Sequence, residues 1–328
     1  MASPPLTVLM SVYNGEKYLA TALDSVLTQT YGDFDFVIVD DGSTDSTAAI
    51  LKEFAAKDAR IRVFGQTNAG LAASLNLGLQ QTASEYVARM DADDLALPHR
   101  FATQVAALNS ETRLAVIGSR VLCIDENGRT RHRRPVVTGS AAIAATLPFA
   151  NCINHPSTMM RTVAVVEAGG YRRKFKVSQD YDLWLRLSER HQLDNLPEVL
   201  LHYRTYEGAT STARNRARLT PYSVCAAVDF FCRKHRLATS EDPIDVDNPV
   251  SVTSALSALL ARDDLTDAER KALHRHAQRL LRNSHAGPAI TDFAAFVRRD
   301  LARRHEYLEL AKLAIYRLSR RRSPTKRG

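Results

Sequence analysis

The sequence predicts an α/β domain, a sheet with crossover helices, followed by a helical appendage. Short apolar runs alternate with amphipathic helical patterns through the first 125 residues, as they do where helices cross between the strands of a sheet. Three polar clusters fall just after successive strand-like runs, where open α/β sheets bind their ligands. Beyond about residue 214 helical spacing takes over, so the chain divides into a sheet-containing domain over 1–213 and a basic helical region over 214–328.

The elements follow in order. Leu6 to Val12 reads as a buried strand and ends in the loop Tyr13-Asn14-Gly15-Glu16. A helix then runs through Leu19, Leu23, Val26 and Leu27. Phe34 to Val39 is the second strand, closed by Asp40-Asp41-Gly42-Ser43. Thr44 to Thr47 offers several N-cap oxygens for the next helix, which continues through Ile50, Leu51 and Phe54. Ile61 to Phe64 is the third strand, and a helix follows from Leu71 to Gln80. Tyr86 to Met90 is the fourth strand, stopping at Asp91, Asp93 and Asp94. Asp94 is expected to start the following helix, which Pro98 opens at a position where its missing N–H is harmless. Leu114 to Ile124 is strand-like, Glu126 to Arg129 is a turn, 131–171 is loop-rich, and a helix spans Tyr181 to Arg190. Pro243 and Pro249, among Asp242, Asp245 and Asp247, read as a linker between helical segments at 214–237 and 251–320.

Composition narrows the class of protein. The apolar fraction of 45% suits a chain with a sizeable core. No apolar stretch reaches the roughly 20 residues that span a bilayer, and no secretory signal pattern opens the chain. Cys123, Cys152, Cys225 and Cys232 show neither CxxC pairing nor metal-finger spacing. Together these lead to an expectation of reduced thiols and a cytoplasmic location. The charge of +8 is uneven: residues 214–328 carry 23 Lys+Arg against 13 Asp+Glu, and 298–328 alone carry 11 against 3. Such a tail is suited to an anionic partner.

Two clusters carry chemistry. Met90-Asp91-Ala92-Asp93-Asp94 places three carboxylates within four positions, which is unfavourable unless a cation neutralises them. Oxygen ligands of this kind suit Mg²⁺ or Mn²⁺; the alternative is a solvated acidic turn. In Val39-Asp40-Asp41-Gly42-Ser43-Thr44-Asp45 the acids can accept hydrogen bonds from a base or ribose, or cap the following helix. The chain has no GxGxxG after its first strand and no GxxxxGK[ST], which speaks against a dinucleotide oxidoreductase and a P-loop enzyme. With acids where a P-loop has glycines, a bound phosphate needs a metal ion for its neutralisation.

Taken in order and spacing, Ser11 to Glu16, Val39 to Asp45, Asn68-Ala69-Gly70-Leu71, Asp91 to Asp94 and Gln179-Asp180-Tyr181-Asp182-Leu183-Trp184-Leu185-Arg186 resemble the family 2 glycosyltransferases, over about residues 5–210. The resemblance implies a GT-A fold, a Rossmann-like mixed sheet flanked by helices. It also implies inverting transfer of one sugar from a nucleotide-diphosphate donor, UDP-sugar first and dTDP-rhamnose next. Val12, Tyr13, Asn14 and Glu16 would lie against base and ribose, with Asp40, Asp41 and Asn68 on the same donor side and Asp41 contacting the base. Asp93 would ligate the metal, and Asp91 would contact ribose or metal-bound water. Asp180 would be the catalytic base, at a helix start whose dipole favours the carboxylate. His155 is placed on the acceptor side, Asp182 is a structural or acceptor-binding acid, and Trp184, Leu185 and Leu187 belong to the core.

The sequence also departs from the family. No basic residue occurs in Ala73-Ser74-Leu75-Asn76, and His202-Tyr203-Arg204-Thr205-Tyr206 has tyrosine where relatives often carry histidine. Arg204 is assigned to the donor phosphates and His202 to a structural role. The QxxRW motif and membrane spans of processive synthases are absent, which favours single-sugar transfer. A growing glycan or lipid-linked acceptor is expected. The segment Arg298 to Arg322 reads as a basic amphipathic helix that docks on the core or meets the inner membrane leaflet. No nucleic-acid-binding module is recognisable. The rival of another class is a catalytically inactive nucleotide-sugar-binding or scaffold protein, which the intact Asp91, Asp93 and Asp180 speak against.

Overall fold

The first strand is mostly apolar and buried along nearly its whole length because both of its faces are covered. The computed structural model describes residues 5–207, 216–237, 244–283 and 288–303. In it β1 (Leu6–Val12) lies parallel to β2 (Phe34–Asp40) on one side and β4 (Tyr86–Asp91) on the other, and β3 (Ile61–Gly65) extends the parallel set beyond β2. The sheet continues through β8 (Met159–Arg161), β6 (Leu114–Ile124), β9 (Gln192–Arg204) and β5 (Leu95–Ala96), with β7 (Thr130–Arg133) on β6. β8 runs antiparallel to both β4 and β6, β9 is parallel to β6, and β5 is antiparallel to β9. Two reversals cancel, so β6 and β9 point the same way as β1, β2 and β4. The carboxyl ends of all five strands therefore share one edge of the sheet, and every candidate site loop leaves from it or beside it.

Helices α1 (Leu19–Leu27), α2 (Thr47–Lys57) and α3 (Leu71–Gln80) are the crossovers of the parallel half. Leu19, Ala22, Leu23 and Val26 bury one face of α1 at helical spacing, each large side chain worth about 1.5–3 kcal/mol. On α3, Gly78 meets Leu9 of β1 so closely that an added Cβ would lie 2.1 Å from its methyl carbon. That contact fixes how deeply α3 sits on the sheet. α4 (Arg100–Ser110) begins two residues after Pro98, with His99 at its cap and β5 between it and Asp94. Asp94 therefore does not start a helix, contrary to the sequence expectation.

The stretch 131–171, read as loop-rich, holds α5 (Ser140–Thr146), a short 3-10 turn at His155–Ser157, β8, and α6 (Thr162–Glu167). These pieces are too short to show periodicity. β9 was missed for a different reason: Asn195, Pro197 and Glu198 break its alternation. Asn195 is nevertheless buried, and its amide donates to the carbonyls of Val137 and Cys152 at 2.9 and 3.0 Å. α7 (Gln179–Leu187) starts two residues earlier than predicted and buries Trp184, Leu185 and Leu187.

The chain divides into two compact units, one ending at Arg216 and the other beginning at Ala217; the boundary at 213/214 read from the sequence lies outside the described residues. The second unit contains α8 (Arg216–Lys234), α9 (Pro249–Leu260), α10 (Asp267–Asn283) and α11 (Pro288–Arg303). Pro249 opens α9 instead of belonging to a linker, and the Asn248 side chain caps the helix by accepting from Val250 N at 3.0 Å. Thr266 and Glu269 form a reciprocal capping box at the start of α10. Beyond residue 303 the basic amphipathic segment expected over 298–322 lies outside the described residues. All four cysteines are free thiols. Among the described residues no helix is long and apolar enough to cross a membrane.

Candidate active site

β4 delivers the carboxylates. Tyr86, Ala88 and Met90 face the apolar core, so the pleat turns Arg89 and Asp91 together to the opposite face. Arg89 is 2% exposed, and its guanidinium pairs with the Asp91 carboxylate. Asp91, Asp93 and Asp94 each offer one oxygen, and these atoms lie within 4.8 Å of one another. Asp94 is 1% exposed; Oδ1 accepts from the Arg204 amide at 2.8 Å, while Oδ2 has no hydrogen-bond partner among the described residues. Burial, followed by the charge of Asp91, pushes the Asp93 carboxyl up to about 6. Burial and the charges of Asp91 and Asp93 push Asp94 well above the ordinary carboxylate range. An orphaned buried oxygen beside two further carboxylates is a donor set that a hard divalent cation fits, and such a cation would relieve both upward shifts. Asp94 thus joins Asp91 and Asp93 as a third candidate ligand.

The loop carrying these acids is held from β9. Arg204 is 6% exposed; its Nε donates to the carbonyl of Asp93 at 2.8 Å and one terminal nitrogen donates to the carbonyls of Asp125 and Glu126 at 3.2 and 3.1 Å. Its guanidinium also lies 4.5 Å over the Tyr18 ring. Arg204, assigned from the sequence to the donor phosphates, here clamps the acidic loop to the β6–β7 turn. Tyr206, at the histidine position of relatives, donates its hydroxyl to Asp93 Oδ2 at 3.0 Å and packs against Tyr18. His202 is half-buried in β9 and pairs in register with Leu95.

The loops after β1 and β2 hold one another. Asn14 takes a left-handed backbone (φ 51), tolerable for asparagine, and its Oδ1 accepts from Thr44 N at 2.8 Å. Glu16 accepts from Ser46 N at 3.0 Å, and Asn14 N, Gly15 N and Glu16 N donate to Ser43, Thr47 and Asp45. Val12 is buried, whereas Tyr13 is 52% exposed at the rim. Asp41 is buried, and its carboxylate accepts from Gln66 Nε2 and from the amides of Ala69 and Gly70 at 2.6 to 2.9 Å. It organises the loop after β3, so both of its oxygens are already engaged. Asp40 is half-buried and uses one oxygen on Ser43 N at 2.9 Å. Gly42 (φ +78) is where these loops touch, since an added Cβ would stand 2.8 Å from Asn68 N; Asn68 itself is exposed.

Asp180 occupies the second position of α7, after Ser178 in a left-handed conformation. Its Oδ2 accepts from Asn151 Nδ2 at 2.8 Å. Burial raises its carboxyl above the ordinary range, and hydrogen bonds from the Tyr181 amide and Asn151, with the charge of Arg89, act the other way. Two acceptor-side assignments move inward. His155 is buried, shares a 2.8 Å hydrogen bond with the Tyr171 hydroxyl, packs edge-on to Trp184, and is kept neutral by burial. Asp182 is 1% exposed between Arg172 and Arg186, each bonded through Nε at 3.0 Å, the setting of a structural acid. Sequence reasoning missed Arg89 and Asn151, of which only Arg89 left a signal, a cation at an interior position of an apolar strand; Tyr206 stood out as a departure but was given no role.

Comparison with known proteins gives the family of the chain. The profile of the family described as "Glycosyl transferase family 2" matches residues 7–170. The chain is 36% identical over 248 residues to the putative glycosyltransferase EpsE of Bacillus subtilis, covering 73% of this chain and 86% of that one. It is 34% identical over 209 residues to the O-antigen biosynthesis glycosyltransferase WbnJ of Escherichia coli, covering 62% and 81%. The chain belongs to glycosyltransferase family 2. Among solved structures, S. aureus TarS with UDP-GlcNAc superposes with a TM-score of 0.57 at 19% identity, covering 92% of each chain. The mannosyltransferase PcManGT of Pyrobaculum calidifontis, with GDP-Man and Mn²⁺, gives 0.52 at 17% identity over 96% of this chain and 85% of that one. The fold is the GT-A type of these enzymes.

Proposed function

We propose that the chain transfers a single sugar, with inversion, from a nucleotide-diphosphate sugar to a glycan or lipid-linked acceptor in cell-surface polysaccharide synthesis. One observation carries this reading. The buried Arg89 guanidinium pairs with Asp91 of the acidic cluster and its charge also favours the Asp180 carboxylate, which supports reading the candidate metal site and the candidate base as parts of one centre. Asp93, Asp94 and the free side of Asp91 would hold Mg²⁺ or Mn²⁺, which when bound supplies Lewis-acid stabilisation of the departing diphosphate. Tyr206 orients Asp93 through its hydroxyl, and Arg204 fixes the loop. Asp40, with an oxygen left over, is the base contact on this reading; Asp41 shapes the wall that Tyr13, Val12 and Asn68 complete, with Asn14 and Glu16 locking the two loops together.

Asp180 takes the acceptor hydroxyl proton. Asn151 and the Tyr181 amide hold the carboxylate in place, and the first turn of α7 favours the carboxylate over the acid. One base on one face inverts the anomeric centre, in contrast to a double displacement. UDP-sugar is the leading donor, in keeping with the UDP-GlcNAc bound by TarS; the O-antigen role named for WbnJ supports a surface-glycan product. The experiment is a panel of UDP-, GDP- and dTDP-sugars tested with Mn²⁺ for thermal stabilisation and slow hydrolysis. One donor class is expected to stabilise the chain only when metal is present. No response to any donor with metal would overturn the reading.

A further inference from the structure

The β6–β7 hairpin carries a concentration of positive charge that the transfer chemistry does not use. Between Asn127 and Gly139 there are four arginines (Arg129, Arg131, Arg133, Arg134), one histidine and no acid. All four residues of β7 are exposed, so this ribbon stands clear of the core on both faces. The two acids that precede it are occupied: Asp125 Oδ1 accepts from the amides of Asn127 and Arg129 at 2.9 Å each, and Glu126 pairs with Lys17 at 3.2 Å.

Sheet register fixes where the ribbon lies. Met159 of β8 pairs with Ala88 on one side and Ile117 on the other, so these two residues are level. Farther along, Ile124 at the root of the hairpin pairs with Arg204, whose amide donates to Asp94 Oδ1 and whose Nε donates to the Asp93 carbonyl, each at 2.8 Å, so the hairpin root stands level with the acidic cluster. Its root is rigid, because Arg204 holds the Asp125 and Glu126 carbonyls, and Arg134 lies 4.2 Å over the Tyr203 ring and reaches Asn154 Oδ1 at 3.3 Å. A flat surface meeting the hairpin would therefore also meet the carboxyl edge of the sheet, where the site opens.

We propose that the exposed arginines of the β6–β7 hairpin dock the catalytic unit on an anionic lipid bilayer, with its active-site edge turned toward the membrane. Charge complementarity selects the occupant: five cations, counting Lys17, oppose two acids, and their open arrangement fits a plane of phosphate headgroups better than it fits an enclosed ligand. The inference rests on the transferase reading for its purpose, since docking would bring a lipid-linked acceptor to Asp180. It assigns membrane contact to the sheet-containing unit itself.

The test is co-sedimentation of the full chain with vesicles of phosphatidylcholine alone, or of phosphatidylcholine and phosphatidylglycerol in equal parts. The variants are Arg129→Gln/Arg131→Gln/Arg133→Gln and, separately, Arg320→Gln/Arg321→Gln/Arg322→Gln. The wild type should partition only onto the anionic vesicles, and the hairpin variant should bind them roughly 100-fold more weakly, with its donor- and Mn²⁺-induced thermal shift unchanged. Equal partition of hairpin variant and wild type would overturn the proposal, as would wild-type chain that leaves anionic vesicles unbound, or complete loss of binding in the tail variant. Lost affinity for dextran sulfate with unchanged vesicle binding would reassign the strip to a polyanionic glycan. Unchanged vesicle binding with new self-association would reduce the arginines to edge-strand protection. Because vesicle binding needs no donor, its failure is separate from failure of the donor panel.

Discussion

Arg204 gives the sharpest separation between the role read from the sequence and the role seen in the fold. In Arg204→Lys the charge stays, but one ammonium replaces a planar fork that reaches three carbonyls, those of Asp93, Asp125 and Glu126, and covers the Tyr18 ring. If lysine keeps one of the three bonds, two charge-assisted hydrogen bonds are lost at ~1.5 kcal/mol or more each, with a further ~0.5–1 kcal/mol from the cation–π contact. The expected loss is about 3–4 kcal/mol in the sheet-containing unit, a fall in Tm of roughly 6–14 °C for a unit of this size. Because the clamp holds the Asp93 backbone, Mn²⁺ affinity should fall as well, measured by isothermal titration without any donor. The rival is a guanidinium that binds donor phosphate. It predicts an unchanged Tm and metal affinity, with a raised KM for the donor alone. Thermal unfolding and Mn²⁺ titration of the same protein decide between them, and an unshifted Tm with weakened donor binding would refute the clamp.

Three further outcomes follow from the same geometry. Asp180→Asn should lower kcat by about 100- to 10,000-fold while leaving the donor- and Mn²⁺-induced thermal shift intact; unchanged transfer would remove Asp180 as the base. Asp182→Ala strands Arg172 and Arg186 around an emptied buried site and should cost about 3–5 kcal/mol of stability. A fully stable variant with a raised acceptor KM would instead restore the acceptor-side role. For pH, the Asp93 carboxyl is raised from 3.8 to about 6 in the metal-free fold, so the folded state keeps a proton that the unfolded chain releases in that window. Stability from this group is therefore lost as pH rises from about 4 to about 6, on the order of 3 kcal/mol at most, and Mn²⁺ should restore it. The Mn²⁺-induced rise in Tm should thus be larger at about pH 7.5 than at about pH 5, and equal rises would contradict the raised carboxyl.

The parallel half of the fold was legible because its strands are buried on both faces and its crossover helices keep their spacing. β1, β2, β4, α1 and α3 all lie where the apolar runs put them. The antiparallel half was not: β8 has three residues and β5 has two, too few for any period, and Asn195 in β9 looks like a loop residue until its carbonyl partners are seen. The clustering of Asp91 and Asp93 could be read from their spacing, as could the placement of Asp40 and Asp41 after β2 and of Asp180 at a helix start.

What the sequence alone determined, then, is which residues could do the chemistry, because a carboxylate-rich strand end and an acid at a helix N-terminus are local facts. Tertiary structure decided which of them remain available. Asp41, Asp182, His155 and Arg204 are polar residues in plausible motifs, yet each is engaged by partners outside its motif or across the helix: the amides of Ala69 and Gly70 for Asp41, Arg172 and Arg186 for Asp182, Tyr171 for His155, and, farthest along the chain, the carbonyls of the acidic loop and the β6–β7 turn for Arg204. A buried polar group must find a partner, and in a fold built from crossovers that partner is usually distant in sequence. The same long-range pairing left Asp94 with a buried oxygen that has no partner among the described residues, and it brought Tyr206, noted in the sequence only as a departure, onto Asp93.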